Sequence, residues 1–290
     1  MSLPPFEPTP EETPEIAPTQ PVQTVRRRRS RRTIIPREAG ARAEFLENLA
    51  RQVSPTLSFY LLSILAGLII AAAVLLDSPA LFILAALLAP FMAPVAGLSL
   101  ASVLGSLGFF LRSLIGILIG GALVFALGVV GGAASLQLPG LKYTQVLFHT
   151  QFTWPDVILL LLGASLTAYL LVRSPNKPLA SSVALAYELY LPLGAAGFGL
   201  ANPQPGLFPD GLLLFASNLA VAVLVGILVM ALLGLRPLSA AGYTVGSSIF
   251  LVVLAAVLAL TGIGQVILSS GPAAPPQPSA TPPPVPSATL

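Results

Sequence analysis

From Gln52 to Leu290 the chain carries only nine charged residues: Asp77, Arg112, Lys142, Asp156, Arg173, Lys177, Glu188, Asp210 and Arg236. A stretch that long with so few ions cannot cover itself in water. Soluble globular chains carry about 25% charged residues; here the share is 9%, against 55% hydrophobic residues and a mean hydropathy of +0.89. The rest of the charge is gathered at one end: nine of the 14 Lys and Arg precede residue 52, and seven of the 11 acids precede residue 48. The expected fold class is therefore all-α, a polytopic transmembrane helical bundle.

The same composition closes several chemistries. With no Cys, there can be no disulfide, Cys-ligated zinc, iron–sulfur cluster or thiol catalysis. A single His, His149, leaves no His-rich metal site and no evident Ser-His-Asp arrangement. An intramembrane enzyme would need paired acids or a nucleophile with a base, and only one acid falls in mid-span. No metal, cofactor or catalytic role is expected. The basic run Arg26, Arg27, Arg28, Arg29, Arg31 and Arg32 lies beside a membrane domain, where it reads as a topology signal contacting anionic lipid headgroups rather than nucleic acid.

Residues 1–40 read as a disordered, Arg-rich cytoplasmic tail. Met1–Thr24 hold seven prolines and four glutamates, too little apolar surface to offset the entropy of ordering. Residues 41–53 repeat Phe45, Leu49 and Val53 four apart with Leu46 beside them, the pattern of an amphipathic helix lying on the membrane surface. Residues 54–268 form the transmembrane domain, with about seven spans: Pro55–Leu76, Pro79–Leu104, Phe109–Val130, Asp156–Val172, Leu179–Leu200, Gly211–Leu235 and Ser247–Leu268. Ser54 and Asp210 are expected as helix caps, with Pro55 and Pro79 as first helical residues. About 50 polar residues precede the first span, so that span is expected to act as its own insertion signal. Residues 269–290 form a second disordered tail; eight prolines and no charge mark Gly271–Leu290.

Positive charge orients the chain. With the N-terminus cytoplasmic, 13 of the 14 Lys and Arg lie inside and only Lys142 lies outside, in keeping with the positive-inside rule. Seven spans then put the Pro-rich tail outside. The expected location is the plasma (inner) membrane of a bacterium.

Two stretches resemble each other. Span two contains Pro90, Pro94 and Gly97; span five contains Pro192, Gly194, Gly197 and Gly199. Each is a proline break followed by small residues, in the middle helix of a three-helix unit. An odd number of helices gives the two units opposite orientation, so a 3+3 inverted repeat with broken helices follows, the framework of many transporters. The plainer reading is that membrane helices tolerate Pro and pack through Gly and Ala.

At these residues the chain resembles bacterial membrane proteins that share an "uncharacterised hydrophobic domain", domain-of-unknown-function family 389, over roughly Ser58 to Pro237. Ala89, Pro90, Met92, Pro94 and Gly97 carry the resemblance, as do Pro192, Gly197 and Gly199, Asn218 at the opening of span six, and Gly234-Leu235-Arg236-Pro237. The chain departs from the family pattern at Ala93, where Gly is common, and at Leu191, where Pro is common. It also departs at Ser106, often an acid, and at Glu188, usually apolar. The resemblance implies a membrane fold and brings no established activity.

Glu188 is the sharpest candidate. It stands tenth in a 22-residue span, and an acid at the bilayer centre costs about 2.5–3.5 kcal/mol on insertion scales. One reading makes it a proton- or cation-binding carboxylate between the interrupted helices; the other makes it a packing acid bonded to Asn218, Tyr187 or Tyr190. Pro90, Pro94 and Pro192 each free a carbonyl upstream that could hold a cation, or leave a kink that neighbouring hydroxyls resolve. Ser99 and Asn218 are the best-placed further pathway groups among mostly interhelical hydrogen bonds. Gly97, Gly116, Gly120, Gly197 and Gly199 permit close helix approach. Arg112, Arg173, Lys177 and Arg236 snorkel to headgroups, and Tyr143, His149, Phe152 and Trp154 anchor the outer interface. The function expected is a small-solute or ion transporter or channel with its pathway between broken helices two and five. The alternative is a non-catalytic scaffold in a homo-oligomer or membrane complex.

Overall fold

The computed structural model describes residue 36 and residues 39–90, 92–138, 140–151, 153–173, 182–237 and 240–260. Residues 1–35, 37 and 38 of the first expected tail, the whole second tail, the arginine run Arg26–Arg32, Phe152 and Lys177 lie outside the described residues, while Ala39 and Gly40, expected in the first tail, open a helix. Ten α-helices and no strand are found among the described ones. They are α1 Ala39–Gln52, α2 Leu57–Leu75, α3 Pro79–Leu88, α4 Met92–Leu104, α5 Leu107–Ser135, α6 Thr144–Phe148, α7 Trp154–Arg173, α8 Ser182–Ala201, α9 Asp210–Leu232 and α10 Ala240–Leu260.

Five stretches are long and apolar enough to cross a membrane: Gly40–Leu75, α5, α7, α8 and α9. The pair α3–α4, bent by 49°, makes a sixth if counted as one span. Among the described residues seven spans are not found, and residues 261–268 of the expected seventh lie outside them. The expected seventh, Ser247–Leu268, is met by α10, which starts seven residues earlier, and its described apolar part is the shorter Ala241–Ala256. The bilayer-length estimate also falls short for α5. Its 29 residues at ~1.5 Å each reach about 43 Å, well beyond a ~30 Å hydrocarbon core. Gly131–Ser135, expected in the outer loop, extend this helix instead.

The core is arranged around α8. From Leu185 to Gly199 every residue except the half-buried Tyr187 is buried. The other long spans bury 39–44% of their best apolar window, α8 78%. Helices α2, α3, α5, α7 and α9 all pack on it. Its neighbours expose leucine and isoleucine outward, Leu118, Leu162 and Leu213 among them, as a lipid-facing sheath does.

Two helix starts differ from the sequence reading. Thr56, not Ser54, holds the N-cap position of α2, because the Ser54 hydroxyl donates to Ala50 O at 2.8 Å and so closes α1. Pro209 precedes α9, whose first residue is Asp210. The apolar side of α1 is taken up by protein: Leu46, Leu49 and Val53 are buried, and α1 contacts α4.

Candidate functional site

The two proline motifs take different forms. Before Pro90 the chain turns extended at Ala89 (φ −69°, ψ 124°), the conformation a following proline favours, and the helix restarts at Met92. Pro94 then sits in the first turn of α4, where a missing N–H has no intrahelical partner to lose. Pro192, in contrast, lies inside an unbroken α8. The expected break at span five is absent, and the reason is a side chain from the next span. Pro192 cannot donate to the carbonyl four residues back, which is that of Glu188; Asn218 Nδ2 on α9 donates to Glu188 O at 2.9 Å instead. Asn218, itself buried, thus replaces the lost helical bond.

That contact reassigns the acid's surroundings. Asn218 meets the backbone of Glu188, and the flanking tyrosines turn to other partners. Tyr187 OH lies 3.2 Å from His149 Nδ1. Tyr190 OH lies 2.9 Å from Ser63 Oγ on α2; since Ser63 already donates to Phe59 O at 2.8 Å, the tyrosine is the donor. The Glu188 side chain is 5% exposed, and its Oε1 is buried with no hydrogen-bond partner among the described residues. An acid so enclosed is costly unless something binds there.

Beyond α5 the connection to α7 folds back onto the bundle as a packed cap. Asn202 Nδ2 donates to Ser135 Oγ (2.7 Å) and Tyr143 OH (3.1 Å), Tyr143 rests edge-on against Phe198 (5.3 Å), and Gln145 N–H donates to Asp77 Oδ1 (2.8 Å). His149 is wedged between Phe82 (4.8 Å) and Tyr187 (5.1 Å). Burial holds its imidazole below the ordinary pKa, with the Asp156 carboxylate opposing. Asp156 accepts from Thr153 Oγ1 at 2.6 Å in the first turn of α7. Tyr143 and His149 are thus half-buried in contacts with the bundle, whereas Trp154 is 78% exposed. This cap leaves no local sign in the sequence, since its partners lie in the turn after α2 and on α3, α5 and α8.

The remaining candidates fall in helix contacts. Ser99 Oγ donates across to Val223 O on α9 at 3.1 Å, beside Gly226. A Cβ on Gly97 would meet Ser113 Oγ at 2.6 Å, one on Gly116 the Pro55 ring at 2.7 Å, and one on Gly120 the Phe59 ring at 2.6 Å. Gly197 abuts Phe125 O, and Gly199 abuts Leu207 Cβ. Two glycines of the same α5–α8 seam were not singled out in advance: Gly128 and Gly132 of α5 lie against Gly194 O and Phe198 O of α8. Their spacing of four was the available signal.

Of the two halves of span two, helix α8 packs mainly on α3, which ends before Pro90, and touches α4, which holds most of Pro90–Gly97. The void where α4, α7, α8 and α9 converge, lined by Val95, Ser99, Thr167, Leu185 and Gly226 among others, measures about 10 Å³, at or below what one water needs. Arg112, Arg173 and Arg236 lie exposed at helix ends, Arg173 over the Tyr169 ring at 5.7 Å.

A family model, that of a domain of unknown function (DUF389), matches residues 86–225. The match runs from late α3 into α9 and contains Pro90, Glu188, Pro192 and Asn218, but it is shorter than the Ser58–Pro237 stretch suggested by the sequence. No curated protein and no solved structure matches the chain.

Proposed function

We propose, from the premise that residues 86–225 belong to the domain-of-unknown-function family DUF389, that this membrane protein passes a small cation, a proton first of all, with Glu188 as the carboxylate that holds it. The observation that carries the reading is the enclosed Glu188 side chain with an unpartnered Oε1 on the helix most shielded from lipid. A buried ionisable group in a membrane bundle marks a pathway by default. The narrow void one turn away at Leu185 suits a proton better than a hydrated ion.

An inverted 3+3 arrangement of α2–α5 and α7–α9 fits the packing. Exchanging α2 with α7, the pair α3–α4 with α8, and α5 with α9 maps each observed neighbour relation onto another. The pairs α2·α5 and α7·α9, α2·α3 and α7·α8, α4·α5 and α8·α9, and α5·α8 and α4·α9 all occur. Transporters place their sites at such a repeat interface, which here is α3 against α8. The charge pattern supports a cytoplasmic N-terminus in a bacterial plasma membrane, and nothing in the site calls for catalysis.

Proteoliposomes carrying a pH gradient and an internal pH dye test this. The wild-type chain should dissipate the gradient and Glu188→Gln should fall to the level of empty vesicles. Equal flux from both removes Glu188 from the mechanism. The tight interior favours a second reading, a non-conducting assembly subunit. Absent flux together with a stoichiometric partner retained in mild detergent would establish that reading instead.

A further inference from the structure

One end of the bundle gathers the start of α2, the start of α5, the end of α9 and the start of α10. Gly97 of α4 touches Val53 O and Ser113, and Gly105 (φ +67°) at the end of α4 abuts Gly242 O. Between α4, α9 and α10 at this end opens a crevice of about 420 Å³, within the range of small-molecule sites. Its rim carries Arg236, Tyr243 and Ser247; its wall carries Val103, Leu228 and Phe250. No carboxylate lines it.

A second arginine reaches the backbone at this rim. Arg42 of α1 donates from Nη2 to Arg236 O at 2.9 Å, and its Nε is buried with no hydrogen-bond partner among the described residues. Among those residues the ion pair found is Arg51–Glu47; neither Arg42 nor Arg236 has an acid. Two arginines with no acid partner among the described residues, the Tyr243 hydroxyl and the Ser247 oxygen, whose hydrogen goes to Thr244 O at 2.9 Å, above an apolar wall, complement a phosphodiester headgroup with its acyl chain below.

We propose that this crevice binds one anionic phospholipid, its phosphate held by Arg42, Arg236, Tyr243 and Ser247 and its chain laid along Val103, Leu228 and Phe250. The inference is independent of any transport by Glu188. A second crevice at the same end supplies an internal control. It has a similar volume, about 420 Å³, and is lined by Pro55, Tyr60 and Arg112 among others, with a single guanidinium.

The test uses the full chain in detergent, titrated with dioleoyl-phosphatidylglycerol or dioleoyl-phosphatidylcholine and read by native mass spectrometry as the first bound lipid. To separate the crevice from the arginine run, a variant with Arg26, Arg27, Arg28, Arg29, Arg31 and Arg32 all changed to Gln is carried in parallel. Both it and the wild type should hold phosphatidylglycerol about tenfold or more above phosphatidylcholine, the scale of one charge-assisted hydrogen bond. Arg42→Gln with Arg236→Gln should lose that preference, and Arg112→Gln should keep it. If the double variant does not fold, Tyr243→Phe with Ser247→Ala should still weaken the first lipid several-fold. Retained preference in these variants, equal binding of phosphatidylcholine, or displacement of the lipid by millimolar inorganic phosphate would each overturn the proposal, the last by assigning the site to a soluble anion.

Discussion

The bond from Asn218 to Glu188 O should be worth nothing unless residue 192 is proline. In the native chain, Asn218→Ala removes the donor that replaces the one Pro192 lacks, leaving a carbonyl buried in a sheathed helix. An unsatisfied buried acceptor costs about 1–3 kcal/mol, whereas interhelical hydrogen bonds in membranes average only ~0.6 kcal/mol because the separated helices find other partners. The larger range applies here: α8 keeps its proline when separated from α9, and no backbone donor in the same turn can take over. With Pro192→Ala the restored N–H donates to Glu188 O, and Asn218→Ala should then cost no more than about 0.6 kcal/mol. The cavity left by the shortened side chain is common to both backgrounds and cancels in the cycle. Four proteins, unfolded reversibly in mixed micelles, give a coupling of about 1 kcal/mol or more. Additive effects within ~0.3–0.5 kcal/mol would refute the claim that Asn218 stands in for the missing helical bond.

Two further outcomes follow from the packing. Gly128→Val forces α5 away from the Gly194 carbonyl and should cost about 1–3 kcal/mol of unfolding free energy. Gly108→Ala, whose Cβ meets nothing within 4 Å, should be neutral or slightly stabilising in the same melt. The pH dependence comes from His149, whose folded-state pKa is lowered by burial. Its contribution is therefore complete above the unfolded value of about 6.5 and is lost as pH falls from there through the lowered folded value. His149→Gln should flatten that part of a stability–pH curve, and an unchanged acid slope would place its origin elsewhere.

The spans were legible because composition and length decide them: a run of some 20 apolar residues has few other fates. The hinge at Pro90 was legible for a similarly local reason, since Pro94 follows within one turn. Pro192 carries the same residue type in a similar setting, yet the helix continues. What differs is Asn218, 26 positions on in sequence and adjacent only after folding. The partners of His149 and Tyr143 were hidden in the same way: Phe82, Tyr187 and Phe198 lie on other helices and meet them only after folding. Glycine spacing announced close approach but not the partner. Gly116 and Gly120 face Pro55 and Phe59 at the entry to α2, while Gly128 and Gly132, against α8, lay in a stretch read as the end of a span and the loop after it.

The sheathing of α8 bears on how such a chain is made. Carrying an acid, a proline and two tyrosines, α8 is the least apolar of the spans, so it gains least by dissolving in lipid alone. Its surroundings are supplied mostly by α2, α3, α5 and α7, which leave the ribosome earlier, and partly by α9. During synthesis it must therefore wait beside the insertion machinery or slip into a furrow already formed by its predecessors, with α9 closing over it last.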